Sequence, residues 1–576
     1  MHFSDLGIVL GDVSLRQIDH YTKDPMKAQR VLLQKILRRS RTSAYGRQYN
    51  FRTIRTIDEF RKSVPLTQYA DYAPYIERMM RGEKNLLFTG RNVRYCTSSG
   101  SVGKPKMLPK SASDLWKMQC IGFSCSVATA AHHLKKQGKR LPKQMGLLTM
   151  ALTGHTAPDG KRVHDAGQVP LDYLRPIIPF FCTSPLSLMY REHEEQLDTS
   201  YLLLRFALEN RSVSYLGSLV ITLLTTMFDY LEQNWQMLCD DIEKGVIDPS
   251  VRITPQLRTE YQKKLRPNPV RAAELRSAFQ QGFDDPIAPR IWPRLCWAYG
   301  MVSSTLKVYT DKLRRYIGPD IPIHNMGYGA AEGFFAMATE LDVPDYVMLP
   351  QCAFFEFIPV SDDDPDAEED NPQTLLLSEL EIGKKYEVVV TTLSGLYRYR
   401  MFDVVQVTRM YQNTPQVEFL YRRNLCMNVA NEKMTTDMAD EAVRNTAQVL
   451  GLTIEGYSFF DDFSVRPPRY CMVCEVPQPV DEDTRQEMIG RLDALFKEYN
   501  DKYAVRRKDM IGAPEVLFLR AGSYAAYREH LLQSGKVLNQ QKPVTVLNTP
   551  QRRDFFLSRT VTPSPTVDRW RAAQES

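Results

Sequence analysis

Residues Thr97 to Lys106 read Thr-Ser-Ser-Gly-Ser-Val-Gly-Lys-Pro-Lys, which places four hydroxyl side chains, two glycines and two lysines within ten residues. Hydroxyls and unpaired backbone N–H groups donate hydrogen bonds, glycine lets the main chain approach a ligand, and lysine brings positive charge. Together these suit a polyphosphate. The same composition also suits a polar surface turn, so the segment by itself leaves both readings open. It is not a Walker-type phosphate loop, which has four residues between its first glycine and the Gly-Lys, then Ser or Thr. Here only Ser101 and Val102 separate Gly100 from Gly103-Lys104, and Pro105 follows.

Two further segments carry related chemistry. Met326-Gly327-Tyr328-Gly329-Ala330-Ala331-Glu332-Gly333 follows a strand-like run. Its glycines let a flat ligand lie against backbone, Tyr328 offers an aromatic face, and Glu332 is a hard oxygen donor suited to Mg²⁺. A tight strand-to-helix turn with a solvent-facing glutamate fits the same residues. Tyr397-Arg398-Tyr399-Arg400-Met401-Phe402-Asp403-Val404-Val405 sets one aspartate beside two arginines. An aspartate at a strand start accepts hydrogen bonds from both hydroxyls of a ribose, and arginine meets phosphate or carboxylate oxygens. An edge strand of alternating charge is the other reading.

These segments need a scaffold, and 576 residues exceed what one hydrophobic core supports, so two or more domains are expected. Residues 13–85, 111–135 and 190–245 have helical spacing, the last including an amphipathic run from Tyr215 to Ile242 that closes at Gly245 as a C-cap. Short apolar runs at Met145–Met150, Leu295–Tyr299, Ile323–Met326, Ala353–Val360 and Glu387–Thr392 read as strands. Their alternation with helices argues for a layered α/β domain. The acidic stretch Ser361–Asn371 reads as a solvated loop whose charge would repel phosphate. After about residue 425 the pattern resets into an αββα unit: helix near Thr436–Leu450, strands near Tyr457–Val465 and Tyr470–Val476, helix near Asp481–Tyr499. The tail beyond Thr549 is rich in Arg, Ser, Thr and Pro, and its order would depend on packing against other parts.

Composition excludes several classes. The net charge of +6 is small for this length, and no basic run with interleaved aromatics is present, so nucleic acid is not an expected partner. Met1-His2-Phe3-Ser4-Asp5 lacks the order of a secretory signal. The longest uncharged apolar stretch, Ser212–Phe228, is short for a membrane span and carries Ser and Thr, so a buried helix is expected there. Ten scattered cysteines fit a reducing, cytoplasmic setting. Cys471 and Cys474 sit in a strand-like run rather than a redox or zinc motif, and His132-His133 reads as an exposed helix end.

Taken in order, the three segments resemble the Gretchen Hagen family of acyl acid amido synthetases, within the adenylate-forming superfamily. The family's Ser-Ser-Gly-Thr-Ser with a following Gly and Lys is matched by Ser98-Ser99-Gly100-Ser101-Val102-Gly103-Lys104. Its Tyr-x-Ser-Ser-Glu type sequence is matched by Tyr328-Gly329-Ala330-Ala331-Glu332, and its Tyr-Arg-x-Gly-Asp-Val by Tyr399-Arg400-Met401-Phe402-Asp403-Val404. Asn234-Trp235, Asp240-Asp241-Ile242 with Gly245, and Ile291-Trp292-Pro293 look like the family's too. The chain departs from the pattern at Val102, where a hydroxyl is lost, at Ala331 in place of Ser, and at Phe402 in place of Gly.

The resemblance implies a large layered α/β N-terminal adenylate-forming domain over residues 1–422 and a smaller mobile α+β C-terminal domain over 423–576. It implies an ATP-dependent, AMP-forming ligase that activates a small carboxylic acid as its adenylate and passes the acyl group to an amine, in this family usually an amino acid. Ser98, Ser99, Gly100 and Ser101 would hold phosphates, Glu332 would place Mg²⁺, and Asp403 would hold the ribose. Tyr328, Gly329, Ala330 and Ala331 would flank the adenine, with Arg400 and Arg422 as basic groups of the nucleotide site. Tyr421-Arg422-Arg423-Asn424 would be the hinge, and Asn431-Glu432-Lys433 resembles the family's Gly-Glu-Lys region. Asn539-Gln540-Gln541-Lys542 resembles the family's Asn-Gln-Tyr-Lys, making Lys542 the mobile lysine that meets the α-phosphate. Coenzyme A as acceptor, and a catalytically degenerate relative that binds a nucleotide or small acid, are the alternatives. Val127, Leu174 and Phe180 are candidates for lining the acid site.

Overall fold

The computed structural model describes residues 3–90, 92–97, 106–143, 145–148, 152–165, 175–176, 178–191, 197–302, 307–360, 372–422, 426–430, 432, 434–477, 479–533, 546–547 and 550–575. The described residues divide into two compact units, one within 3–97 and 106–422, the other within 426–575.

The first unit opens with helices Phe3–Lys23, Pro25–Ser40, Ala44–Gln48, Ile57–Ser63 and Tyr69–Met80. Local chemistry sets their ends. Thr56 accepts from Glu59 N while the Glu59 carboxylate accepts back from Thr56 N, a capping box that satisfies donors the helix itself leaves open. Of the apolar positions Val31, Leu32, Ile36 and Leu37, the last three are buried together with Leu33, while Val31 is exposed.

These helices share a core with a seven-stranded antiparallel sheet. Its order is Tyr328–Gly329, Phe334–Met337, Tyr346–Met348, Thr414–Arg422, Tyr399–Tyr411, Lys385–Thr391, Phe354–Val360. A four-stranded parallel sheet runs Gly146–Leu148, Tyr215–Val220, Trp297–Met301, Ile323–Asn325. Parallel neighbours require crossovers, and helices Ile221–Lys244 and Lys307–Ile317 lie within the connections between its strands. A five-stranded sheet, Met107–Ser111, Asn92–Thr97, Arg162–Asp165, Leu152–Thr156, Tyr190–Arg191, completes the unit.

The run from Tyr215 to Ile242 is not one helix. Tyr215–Val220 is a strand and Ile221–Lys244 the helix that follows directly. A strand inside a parallel sheet is apolar throughout instead of alternating, so Tyr-Leu-Gly-Ser-Leu-Val merges by composition with the apolar start of its helix. Gly245 does end the helix: its φ is +69°, and a Cβ there would lie 2.4 Å from the Arg266 carbonyl carbon. No described helix is long and apolar enough to cross a membrane.

In the second unit, helix Thr436–Leu450, strands Gly456–Asp462 and Arg469–Glu475, and helix Glu482–Tyr499 take the αββα order. Strand Glu515–Phe518 pairs parallel with Arg469–Glu475 as a third member that alternation did not announce. The tail forms helices Pro550–Leu557 and Pro565–Glu575, with Phe556, Leu557 and Val567 buried beneath them. Cys471 and Cys474 are buried free thiols on the central strand. In the first unit, His132 stands half-exposed on helix Ala112–Lys136, its Nε2 2.9 Å from Asp12 Oδ1.

Candidate functional site

The Tyr328 segment is a hairpin, not a strand-to-helix turn. Tyr328–Gly329 pairs antiparallel with Phe334–Met337. Ala330 N donates to Gly333 O at 2.8 Å and Gly333 N returns the bond to Ala330 O at 3.2 Å, leaving Ala331 and Glu332 at the tip. Gly327 enters it at φ +116°, where a Cβ would lie 2.3 Å from Ala336 O, so a larger residue has neither the backbone angle nor the room.

Glu332 is buried, and its carbonyl accepts from the ammonium of Lys110 at 2.6 Å. Lys110 is 1% exposed. It lies near the end of the strand Met107–Ser111 that leaves the Ser/Gly-rich segment, and Asn92 Oδ1 accepts from its backbone N–H at 3.1 Å. Next in the chain, Ser111 caps helix Ala112–Lys136 through Asp114 N. Asp114 in turn accepts from the Ser394 hydroxyl. Asp114 and Glu332 line one small cleft with Gly333, Phe334, Phe335, Cys352 and Thr392. Lys110, Asp114 and Ser394 were not singled out by spacing. Burial of a lysine beside a helix cap depends on tertiary contacts that spacing does not carry.

Asp403 lies inside strand Tyr399–Tyr411 rather than at a strand start. Pairing with Lys385–Thr391 slips between Glu387↔Val404 and Val389↔Arg400, so the strand bulges around Met401, Phe402 and Asp403. Phe402 has φ +58°. On the other side Asp403 stands opposite Arg422 in the ladder. Tyr328 donates its hydroxyl to Asp403 Oδ2 at 2.6 Å, with both residues buried. The Tyr328 ring is tilted against Phe335 and Phe419, with centroids 5.5 and 6.2 Å away. Its aromatic face is thus shared with the protein's own rings, and its hydroxyl is what ties the two segments together.

The arginines expected to meet a ligand are engaged within the protein. Arg400 donates from Nε and Nη2 to the two oxygens of buried Glu387, at 2.8 and 2.9 Å. Arg398, at φ +47°, donates from Nε and Nη2 to Glu356 and from Nη1 to the carbonyl of Val64 at 2.7 Å. Thr67 binds the backbone on either side of Tyr399, accepting from Arg400 N and donating to Arg398 O, both at 2.9 Å. The Arg-x-Arg pattern therefore anchors the strand entrance.

Gly329 is exposed, Ala330 half-buried and Ala331 buried at the same hairpin. Ser98, Ser99, Gly100, Ser101, Val102 and Lys542 lie outside the described residues, as does Leu174 among the acid-lining candidates. Of the others, Val127 is packed in a core cluster with Leu148, Ile178 and Trp297, while Phe180 is 64% exposed at the surface. Glu432 is buried, accepting from Val429 N, Ala430 N and the Tyr470 hydroxyl, so it closes a turn within the second unit.

Comparison with known proteins decides the lineage. The GH3 family N-terminal domain matches residues 14–323, the GH3 family central domain 346–422 and the GH3 family C-terminal domain 437–551. The chain belongs to the GH3 family. It is 27% identical to the jasmonoyl–L-amino acid synthetase GH3.5 of Oryza sativa subsp. japonica, over 96% of this chain and 97% of that one. It is 26% identical to the putative indole-3-acetic acid-amido synthetase GH3.9 of Arabidopsis thaliana, over 92% of this chain and 93% of that one. A solved structure of AtGH3.15 acyl acid amido synthetase in complex with 2,4-DB shares the fold, with a TM-score of 0.63 at 23% identity over 96% of each chain.

Within this GH3 chain, Phe402 is the departure with a visible structural consequence. A left-handed backbone costs a non-glycine residue about 1–2 kcal/mol, and the bulge imposes that conformation on Phe402. Its ring faces the Arg400 guanidinium, 4.8 Å from centroid to Cζ. A cation over an aromatic face returns about 0.5–2 kcal/mol, which is of the size needed to hold the strained angle.

Proposed function

We propose that the chain is an ATP-dependent acyl acid amido synthetase. The observation that carries this reading is the match of all three GH3 domains, in order, along one chain. The pairing of Tyr328 with Asp403 supports it, since it brings the second and third nucleotide segments to one point.

In the first step a carboxylate oxygen of the acid attacks the α-phosphorus of ATP. A P–O bond forms, the α–β bridging P–O bond breaks, and pyrophosphate leaves with the electron pair. In the second step an amine nitrogen, that of an amino acid, attacks the adenylate carbonyl carbon. The C–N bond forms, AMP departs with the C–O electron pair, and the nitrogen loses a proton. Asp403 accepts from the ribose hydroxyls while Tyr328 holds its carboxylate in place. Ser98, Ser99, Gly100 and Ser101 donate to phosphate oxygens. The second unit moves about the Tyr421–Asn424 hinge between the steps, and Lys542 meets the α-phosphate in the first. Arg400 precedes Asp403 on its own strand, and Arg422 is its partner position in the strand opposite. The free thiols among the described cysteines support a cytoplasmic setting.

Mg²⁺ fits the donor chemistry. Among the described residues no group of three or more His, Cys, Asp or Glu is arranged to hold a metal. Mg²⁺ carried by a nucleotide needs only one or two protein carboxylates besides the phosphates, and Glu332 supplies one from a turn that Lys110 fixes. When bound, the ion neutralises charge that builds on the phosphate oxygens.

The deciding experiment is acid-dependent pyrophosphate release over aromatic, fatty and keto acids, with product masses read in the presence of mixed amino acids or of coenzyme A. An amide mass with amino acids supports the proposal. A thioester alone, or no release with any acid, overturns it.

A further inference from the structure

Asp403 is aimed by a chain of contacts that begins away from it. Buried Glu387 holds Arg400 with two hydrogen bonds, at 2.8 and 2.9 Å. Arg400 lies over the ring of Phe402, 4.8 Å from its centroid. Phe402 takes φ +58° at the point where the ladder slips. The next residue is Asp403, whose Oδ2 meets Tyr328 at 2.6 Å.

Side chains alternate along a regular strand, but here Met401, Phe402 and Asp403 stand opposite Val388 alone, and the left-handed backbone at Phe402 sets where the next side chain points. Extended backbone at Phe402 would move the Asp403 carboxylate away from Tyr328. Phenylalanine does not prefer the angle it adopts, and the strained conformation persists only where its surroundings over-determine it. The stack of Phe402 on Arg400 is one such contact, beside the pairing of Asp403 with Arg422, and Arg400 is itself held by Glu387. We propose that Phe402 is the positioning residue for nucleotide recognition in this chain: its stack on Arg400 holds the bulge that presents Asp403 to the ribose. The inference rests on the reading of this unit as a nucleotide site and adds to it the element that sets its sugar selectivity.

The substitutions separate ring from backbone. Glycine takes the left-handed angle without strain and has no ring. Alanine and leucine dislike the angle and cannot stack, and tyrosine keeps both ring and cation contact. The readout is calorimetric affinity of the full-length protein for ATP and for 3′-deoxy-ATP, with thermal unfolding run in parallel. The wild type and Phe402→Tyr are expected to favour ATP by about tenfold or more, the loss of one hydrogen bond to a charged group. Phe402→Ala and Phe402→Leu should bring that ratio to within about twofold of unity, and Phe402→Gly should recover most of what alanine loses. A merely structural role would lower the unfolding temperature and leave the ratio alone.

Should the alanine variant not fold, the leucine variant, which keeps most of the volume, carries the comparison. Wild-type ratios in both overturn the inference, and so does a glycine variant as indiscriminate as the alanine one. A wild type that binds both nucleotides equally also overturns it, leaving adenylation in place. A wild type that binds neither brings down the proposed function itself.

Discussion

The hydroxyl of Tyr328 and the carboxylate of Asp403, 75 residues apart in the chain, meet at 2.6 Å in the interior of the first unit. The hairpin carrying Tyr328 is at one edge of the seven-stranded sheet and the bulged strand carrying Asp403 is toward the other. Two short segments, each ambiguous by itself, thus meet because a single sheet holds them.

Removing the hydroxyl leaves a buried carboxylate oxygen short of a donor, at a cost of about 1–3 kcal/mol. Tyr328→Phe is therefore expected to raise the KM for ATP by about tenfold, with kcat reduced less. Steady-state pyrophosphate release measures it. An unchanged KM would mean that the aspartate is held by its other contacts alone.

Lys110 makes a different demand. A lysine that is 1% exposed must direct its ammonium at oxygen, and the Glu332 carbonyl is where it points. Lys110→Met keeps the stem and removes the cation, so the tip bearing Glu332 loses its tether. The Mg²⁺ concentration for half-maximal pyrophosphate release should rise by several fold, at an unfolding temperature near that of the wild type. A change in unfolding temperature without any change in Mg²⁺ dependence would reduce Lys110 to a packing role.

The two buried arginine pairs differ from surface ion pairs, which contribute little. Glu387 is fully buried, and taking away its charge strands Arg400 in the interior, which costs about 3–5 kcal/mol. Glu387→Ala should lower the unfolding temperature of the first unit by many degrees, and Glu356→Ala should do the same through Arg398 and the Val64 carbonyl. Calorimetric unfolding that moves by less than a degree would contradict the anchoring role of both arginines.

Sequence carried the existence of most elements and marked Tyr328, Glu332 and Asp403 as candidates, because glycine punctuation and rare polar residues survive without coordinates. It misassigned what depends on partners. Tyr215–Val220 reads as helix until its parallel neighbours are seen, since burial on both faces erases alternation. Arg398 and Arg400 have the composition of a phosphate clamp, and only the positions of Glu356 and Glu387 show that they are internal anchors. Phe402 stands where the family pattern has glycine, and only coordinates show that its backbone takes the left-handed angle with Arg400 against its ring.

The second unit contains a carboxyl group whose titration reaches neutral pH. Among the described residues, Asp461 Oδ1 is shut away from solvent without a hydrogen-bond partner, and Oδ2 accepts from Asn428 N at 3.2 Å. Burial pushes the carboxyl up to about 7, the Asn428 N–H opposes that, the charge of Glu432 adds to it, and Arg553 opposes it. Between its usual value near 3.8 and about 7, the folded unit holds a proton that the unfolded chain has released. Its contribution to stability is therefore complete below about pH 4 and lost as pH rises through 7. A displacement of this size corresponds to about 4 kcal/mol. An asparagine side chain mimics the neutral acid, so Asp461→Asn should raise the unfolding temperature of the second unit at pH 8 and change it little at pH 4. Unfolding scans of wild type and variant across that range give the comparison. Parallel pH profiles for the two proteins would show that the carboxyl is ionised throughout.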